Sequence, residues 1–452
     1  RRLQAVVLGC AAAGAGGISA RGPSLLQRGS LRERTGAAEG APAGELHTVY
    51  SAGCSAFSLH QAVALDWSWR NVEQPGRLTR IVTGCATESD ERQAMRSVLS
   101  GDPRFGVFFT EDWNTEVPKM FPEVRSDNYM AYNRPFALAA WFEKTRPKEA
   151  YVMYVDPDMI FVQPLLYHLP SSDVRATEGH PVAQHYSYIT ANAGATDPGW
   201  HDFAVPELCG PDCRSLADAQ TPNERSFAVG SPIVMHSSDW AKLLPAWTNY
   251  TVFVRSRGHV HEATWIKKGD PPYIAEMIAY SLAAVTSNLP HQVVDFTADG
   301  MREDYNPPAD GTRLIHLCYP LRARQANFRW NKYRAPFGFG ARGFSQGGGS
   351  YLLDCGTPLF AEPPPRSPGA GARRDSYWMI QETTRTYNRA VLELKRAACP
   401  RERLDARALV RVDEDGWYVL NGSWTGEPPR VPVSRLLPQA TAYRRGWQQP
   451  WW

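Results

Sequence analysis

An α/β fold with a mixed, mostly parallel sheet flanked by helices is the class that this sequence predicts, and three observations predict it. Short β-rich runs alternate with segments of helical apolar spacing, the pattern of strand–helix–strand units. The chain has 452 residues, enough to bury a large core. Its 43% hydrophobic and 21% charged residues are those of an ordinary globular protein.

Residues 1–45 are rich in Ala, Gly and Arg and read as a disordered or processed leader. Within them, 5–17 follow two Arg and resemble a weak signal h-region; no initiator Met precedes it. The folded part begins near Leu46. His47-Thr48-Val49-Tyr50-Ser51 reads as a first strand, ended by Ala52-Gly53. Leu59, Val63 and Trp67 are at helical spacing over 58–70, and Pro75-Gly76 closes that helix. A second strand spans 80–84. Asn133-Arg134-Pro135 leads into a helix over 136–143, and a strand follows over 151–155.

The apolar run 229–235, broken by Gly230 and Pro232, is expected at the rim of the site, and 241–250 reads as helix. In a helix over 273–284, Ile274, Met277, Ile278 and Leu282 form a stripe with Glu276 off it. Leu314-Ile315-His316-Leu317 is a late short strand. The expected division is a leader (1–45), one main catalytic domain (46–333), a Gly/Pro-rich linker (334–375), a helical extension (376–399) and a charged, Trp-ended segment of unread role (400–452).

A net charge of +3 is too small to argue for nucleic acid, and no basic stripe interleaves with aromatics. Fifteen Trp and nineteen Tyr serve packing first, and secondarily suit sugar platforms. The eight Cys stand at 10, 54, 85, 209, 213, 318, 355 and 399, without a zinc-type spacing. Asn249-Tyr250-Thr251 and Asn421-Gly422-Ser423 are N-glycosylation sequons, which point to a secretory lumen and hence to disulfides. Cys54 with Cys85 and Cys355 with Cys399 are candidate pairs. No stretch reaches the ~20 apolar residues of a membrane span, so any anchor is expected outside the visible sequence.

The chemistry-bearing motif is Asp156-Pro157-Asp158, placed between the apolar runs 150–155 and 159–162. On a strand, residues i and i+2 point to one face, so both carboxylates meet one hard divalent cation there. Such a cation keeps waters and accepts phosphate oxygens.

Taken together, these segments resemble the peptidyl serine α-galactosyltransferases of plants and green algae and, more distantly, the hydroxyproline O-arabinosyltransferases. The matching pieces include His47 to Ser51 with Cys54, Gln74-Pro75-Gly76, Asn133-Arg134-Pro135 and Asp156-Pro157-Asp158-Met159-Ile160. Further on they include Gly179-His180-Pro181-Val182, Pro206-Glu207-Leu208-Cys209, Ala275-Glu276-Met277, Leu314-Ile315-His316 and Asn327-Phe328-Arg329-Trp330, in collinear order over roughly 46–400. The chain departs from the pattern at Pro157, where a small residue is usual, and at Leu317-Cys318, which intervene before Tyr319.

The resemblance implies a GT-A-type fold and a retaining transferase in the endoplasmic reticulum or Golgi. It implies Mn2+ or Mg2+, a UDP-sugar donor, and a serine- and hydroxyproline-rich acceptor protein. Asp158 is expected as direct metal ligand with His316, and Asp156 as metal, water or ribose contact. Glu276 is expected at the acceptor or beneath the anomeric carbon, with Asp239 as a weaker candidate. Thr48 and Ser51 are expected at the nucleoside, and Asn133 and Arg134 at the donor; an N-cap at Asn133 accounts equally for that pair. Trp330 and Asn331 are expected to close over the donor, or to pack. Galactose to serine is the first reading and arabinose to hydroxyproline the second. A catalytically silent glycoprotein-binding relative is the reading of another class.

Overall fold

Strand β1 (Leu46–Gly53) is buried along nearly its whole length, as a parallel strand covered on both faces must be. Its alternate side chains enter two different cores: Tyr50 points to one and Val49 to the other. A computed structural model describes residues 46–168, 173–186, 188–189, 224–257, 273–300, 311–323, 328–330, 332, 359–360, 362–363, 376–398, 409–412, 418–419 and 441–443.

Parallel to β1 run β2 (Arg77–Thr83) on one side and β4 (Tyr151–Tyr154) on the other. Beyond β2 lie β3 (Phe105–Thr110) and β16 (Thr441–Tyr443), both parallel. Beyond β4, β7 (Val229–His236) and β6 (Val182–His185) introduce antiparallel pairs before β8 (Gln292–Val294) closes the order β16-β3-β2-β1-β4-β7-β6-β8. This is the mixed, mostly parallel α/β sheet that the sequence predicts.

Helix α1 (Ala56–Asn71) links β1 to β2, and the Ser55 side chain caps it by accepting from the Ser58 amide at 3.2 Å. Next come α2 (Glu88–Ala94), α3 (Trp113–Met120) and α4 (Pro135–Thr145). Helices α5 (Ser237–Arg257) and α6 (Ala275–Thr286) pack with α4 on the Val49 face, where Trp141, Trp240, Trp247 and Tyr280 fill the core. On the Tyr50 face, α1 meets α7 (Tyr377–Ala398), whose Met379, Ile380, Tyr387 and Val391 belong to the same core as Val63 and Trp69. The segment expected as a helical extension thus fills the main core.

A small sheet at the carboxyl end of β4 orders β5 (Met159–Phe161), β10 (Leu314–His316) and β9 (Thr297–Asp299). After it come the hairpin β11 (Leu321–Ala323) with β12 (Phe328–Trp330), and a second small sheet of β13 (Leu359–Phe360), β14 (Leu409–Val412) and β15 (Tyr418–Val419).

The 229–235 run, expected at the rim of the site, is an interior strand of the sheet whose pattern Gly230 and Pro232 disguise. Gly230 is required there because a Cβ would lie 2.0 Å from the Tyr186 ring. Helix α6 is buried nearly all round, and Glu276 is buried with it. Cys54 and Cys85 form a disulfide joining the ends of β1 and β2. The other expected pair, Cys355 with Cys399, and the sequon at Asn421 lie outside the described residues, as do 1–45, 334–350 and Asn331. Asn249 is exposed on α5, with Thr251 buried behind it.

Candidate active site

The two acids of Asp156-Pro157-Asp158 converge by a turn and not by strand alternation. Backbone pairing with β1 runs on to Val155, whose amide donates to the Val49 carbonyl at 3.0 Å. The chain then folds over, the Met159 amide donating to Asp156 O at 3.1 Å, and β5 departs. Pro157 suits such a turn because its φ is preset and it has no amide to satisfy.

Strand pairing delivers the histidine. β10 runs antiparallel to β5 with His316 opposite Met159, and the Leu317 amide donates to Asp158 O at 3.0 Å. His316 Nε2 thereby stands 3.5 Å from Asp158 Oδ1 and 3.7 Å from Asp156 Oδ2. All three side chains are buried, with one ligand atom from each within 4.8 Å of the others. A buried Asp–Asp–His group of this kind is able to bind a metal ion.

Cations surround the acids. Arg134, the residue before α4, spans two carboxylates, 3.1 Å from Asp156 Oδ2 and 3.1 Å from Glu276 Oε1. Lys332, two residues past β12, pairs with Asp158 Oδ2. Glu276 also accepts from the Tyr129 hydroxyl, which is 2.7 Å from the Tyr273 carbonyl as well. Asp156 Oδ1, by contrast, is buried with no hydrogen-bond partner.

Burial alone pushes a carboxyl pKa up and an imidazole pKa down. At Asp158 burial is outweighed by Lys332 and His316, which hold the carboxyl well below its usual range. At His316 burial is outweighed by Cys318 and Asp158, and the imidazole titrates well above its usual range. Glu276 goes the other way: burial raises it, and Arg134 and Tyr129 only partly offset that.

Other expected residues are distributed unevenly around this centre. Ser51 reaches it indirectly, its hydroxyl 3.1 Å from the Tyr154 hydroxyl. Thr48 is turned into the core beneath α1, where it accepts from the Trp69 indole at 3.3 Å. Asn133 caps α3 and not α4: its side-chain oxygen accepts from the Trp113 amide at 2.7 Å, and its amide donates to Asp112 at 3.0 Å. Helix α4 starts at Pro135, whose missing N–H needs no cap. Trp330 is fully buried, its ring stacked 5.9 Å from Tyr387 of α7. Asp239 accepts from the Gly179 amide at 2.8 Å and so fixes a turn beside β6.

Sequence reasoning missed Lys332, Tyr129 and Tyr186. The Tyr186 hydroxyl donates to Ser231 O at 2.9 Å, and its ring stacks 6.2 Å from that of His316. Nothing in the local spacing of these residues marks them, since each reaches the site through a long-range strand or helix contact.

Residues 109–293 match the family model described as Hydroxyproline O-arabinosyltransferase family N-terminal domain. The chain is 24% identical to a peptidyl serine alpha-galactosyltransferase of Chlamydomonas reinhardtii over 64% of this chain and 36% of that protein. It is 27% identical to one of Arabidopsis thaliana over 60% of this chain and 30% of that protein. Hydroxyproline O-arabinosyltransferase RDN1 of Medicago truncatula is 25% identical over 45% of this chain and 49% of that protein. This chain is thus similar to both groups over part of its length. It spans about a third of the length of the two galactosyltransferases that it matches. The family match contains Arg134, both acids and Glu276, whereas His316 and Lys332 lie beyond its end.

Proposed function

We propose that the chain is a metal-dependent, retaining glycosyltransferase that moves a sugar from a UDP-sugar to serine hydroxyls of hydroxyproline-rich proteins, with galactose as first choice. The observation that carries this reading is the meeting of Asp156, Asp158 and His316 at the carboxyl ends of the parallel strands, with one acid oxygen unpartnered. Crevices at that end of an open α/β sheet are where ligands bind.

The residues fit a divalent cation. Two carboxylates and an imidazole are the donor set of Mn2+ or Mg2+ sites, and an orphaned buried oxygen is a position that a ligand atom would fill. Asp156, Asp158 and His316 would hold the ion, which would supply Lewis-acid charge to a departing diphosphate. Arg134 bridges Asp156 to Glu276 and so ties the helix α6 carboxylate to the acid pair. Glu276, held by Tyr129, is the carboxylate offered to the sugar's reacting carbon or to the acceptor hydroxyl. An extended Pro-rich acceptor presents its hydroxyls on a polyproline II helix. The Cys54–Cys85 disulfide supports a secretory lumen as the site of action.

Transfer of arabinose to hydroxyproline is the second reading, favoured by the description of the matching family. Release of UDP from UDP-galactose, UDP-arabinofuranose and UDP-glucose, with Ser- and Hyp-rich peptides and with or without Mn2+, separates the two. Absence of metal-dependent turnover on every donor leaves the silent glycoprotein-binding relative as the answer.

A further inference from the structure

We infer that Lys332 is a resident counter-cation of the acidic site, displaced when a divalent ion enters; the inference rests on the metal reading above. Three carboxylates, Asp156, Asp158 and Glu276, share this buried region with two permanent cations, Arg134 and Lys332. Their roles differ. Arg134 is engaged by two acids on two different elements, and its planar fork suits a fixed bridge. Lys332 pairs with Asp158 through one ammonium on a flexible stem, at 12% side-chain exposure.

Placing a divalent ion among Asp156, Asp158 and His316 beside an ammonium that already pairs with Asp158 sets like charges against each other in a poorly solvated place. With Lys332 in place the group carries one excess positive charge. With Lys332 withdrawn to solvent, the ion and Arg134 together balance the three carboxylates. Metal binding is therefore favoured by displacement of Lys332 from Asp158. Lys332 also offsets the cost of keeping Asp158 buried while no metal is present. This makes Lys332 a residue that sets metal affinity without being a ligand.

Titration of the purified protein with Mn2+ alone, without nucleotide, tests the exchange by calorimetry. Lys332→Met is expected to bind Mn2+ about ten-fold or more tightly than wild type, with Lys332→Arg close to wild type. Equal or weaker binding by Lys332→Met, where wild type binds, overturns the exchange and leaves the metal site standing. Failure of every chain to bind Mn2+ overturns both. A second measurement needs no variant: amine acetylation of wild type, read by mass spectrometry. Lys332 is expected to label several-fold faster with Mg2+ bound than without it. Labelling at Lys332 that saturating Mg2+ leaves unchanged also overturns the exchange.

Discussion

Two of the buried charge clusters among the described residues are built on opposite plans. Between β1, β2 and α1, Asp66 and Arg80 are almost wholly buried and paired, and their neighbours take up the rest of their hydrogen-bonding groups. Arg80 donates to Asp66, to the Tyr50 hydroxyl at 2.7 Å and to the carbonyls of Ala94 and Arg96. Asp66 accepts in addition from Tyr50 at 2.7 Å and from Ser97. At the end of β4 the acids outnumber the fixed cations, and Asp156 Oδ1 has no partner. A charge cluster that serves only the fold closes on itself. One that serves a ligand keeps a valence open, and the fold carries the cost of desolvating it.

The plainest way to break this contrast is to remove one acid from each cluster. Asp158→Ala is expected to lower metal-dependent release of UDP by about 1,000-fold or more, the scale of losing a principal electrostatic stabiliser. Its thermal unfolding should change little, because Lys332 then relaxes into solvent. Undiminished turnover in this variant removes the metal assignment. Asp66→Asn should do the reverse. Breaking a buried pair on one side costs about 3–5 kcal/mol, read by urea unfolding, since the Arg80 charge has nowhere to go. Mn2+ affinity of its folded fraction should match wild type. If Asp66→Asn weakens Mn2+ binding while the protein remains folded, the two clusters are coupled and the contrast fails.

Glu276→Gln sharpens the boundary of the open cluster. Arg134 stands between Glu276 and Asp156, so the variant should keep Mn2+ affinity and lose turnover by roughly 10- to 100-fold in kcat. A weakened Mn2+ affinity with unchanged kcat would put Glu276 on the metal side of Arg134 instead.

How much of this was legible in the sequence depended on whether a signal was local. Alternating runs gave β1, β2, β4, α1, α4, α6 and α7 to within a few residues, because burial on both faces forces apolar composition locally. The acid pair was legible for the same reason, standing between two apolar runs. His316 was legible through collinear motif order, and its approach to the acids rests on the β5–β10 pairing, which no local pattern encodes. Lys332 and Tyr186 arrive by the same kind of non-local contact, without a motif to announce them. Polar residues misled where they satisfied backbone or core groups: Thr48 binds an indole, and Asn133 caps a helix other than the one it precedes. β7 was hidden because Gly230 makes room for Tyr186, a demand that comes from a different strand.

The smallest expected effect concerns a buried ionisable group that belongs to neither cluster. His291 is buried against the Tyr280 hydroxyl at 2.7 Å, with no carboxylate among its hydrogen-bond partners, and burial pulls its pKa down to about 3. His60, also buried, is shifted the same way by burial. An imidazole with a depressed folded pKa stays neutral in the fold, while the unfolded chain takes up its proton near pH 6.5. Stability is therefore full above about pH 6.5 and falls below it, on the order of 1 kcal/mol per pH unit for His291, until the folded group also protonates near pH 3. His316 does not obscure this window. Its raised folded pKa gives a contribution that is complete below about pH 6.5 and is lost only at higher pH. Asp158, held low, loses its contribution only at more acid pH still. Across pH 7, 6 and 5 in urea unfolding, stability should thus fall less, or rise more, in His291→Gln than in wild type, by the part that His291 contributes. Parallel slopes in the two proteins would mean that His291 takes up a proton in the fold. A charge with no carboxylate beside it would then be tolerated in this core, against the rule by which both clusters are read.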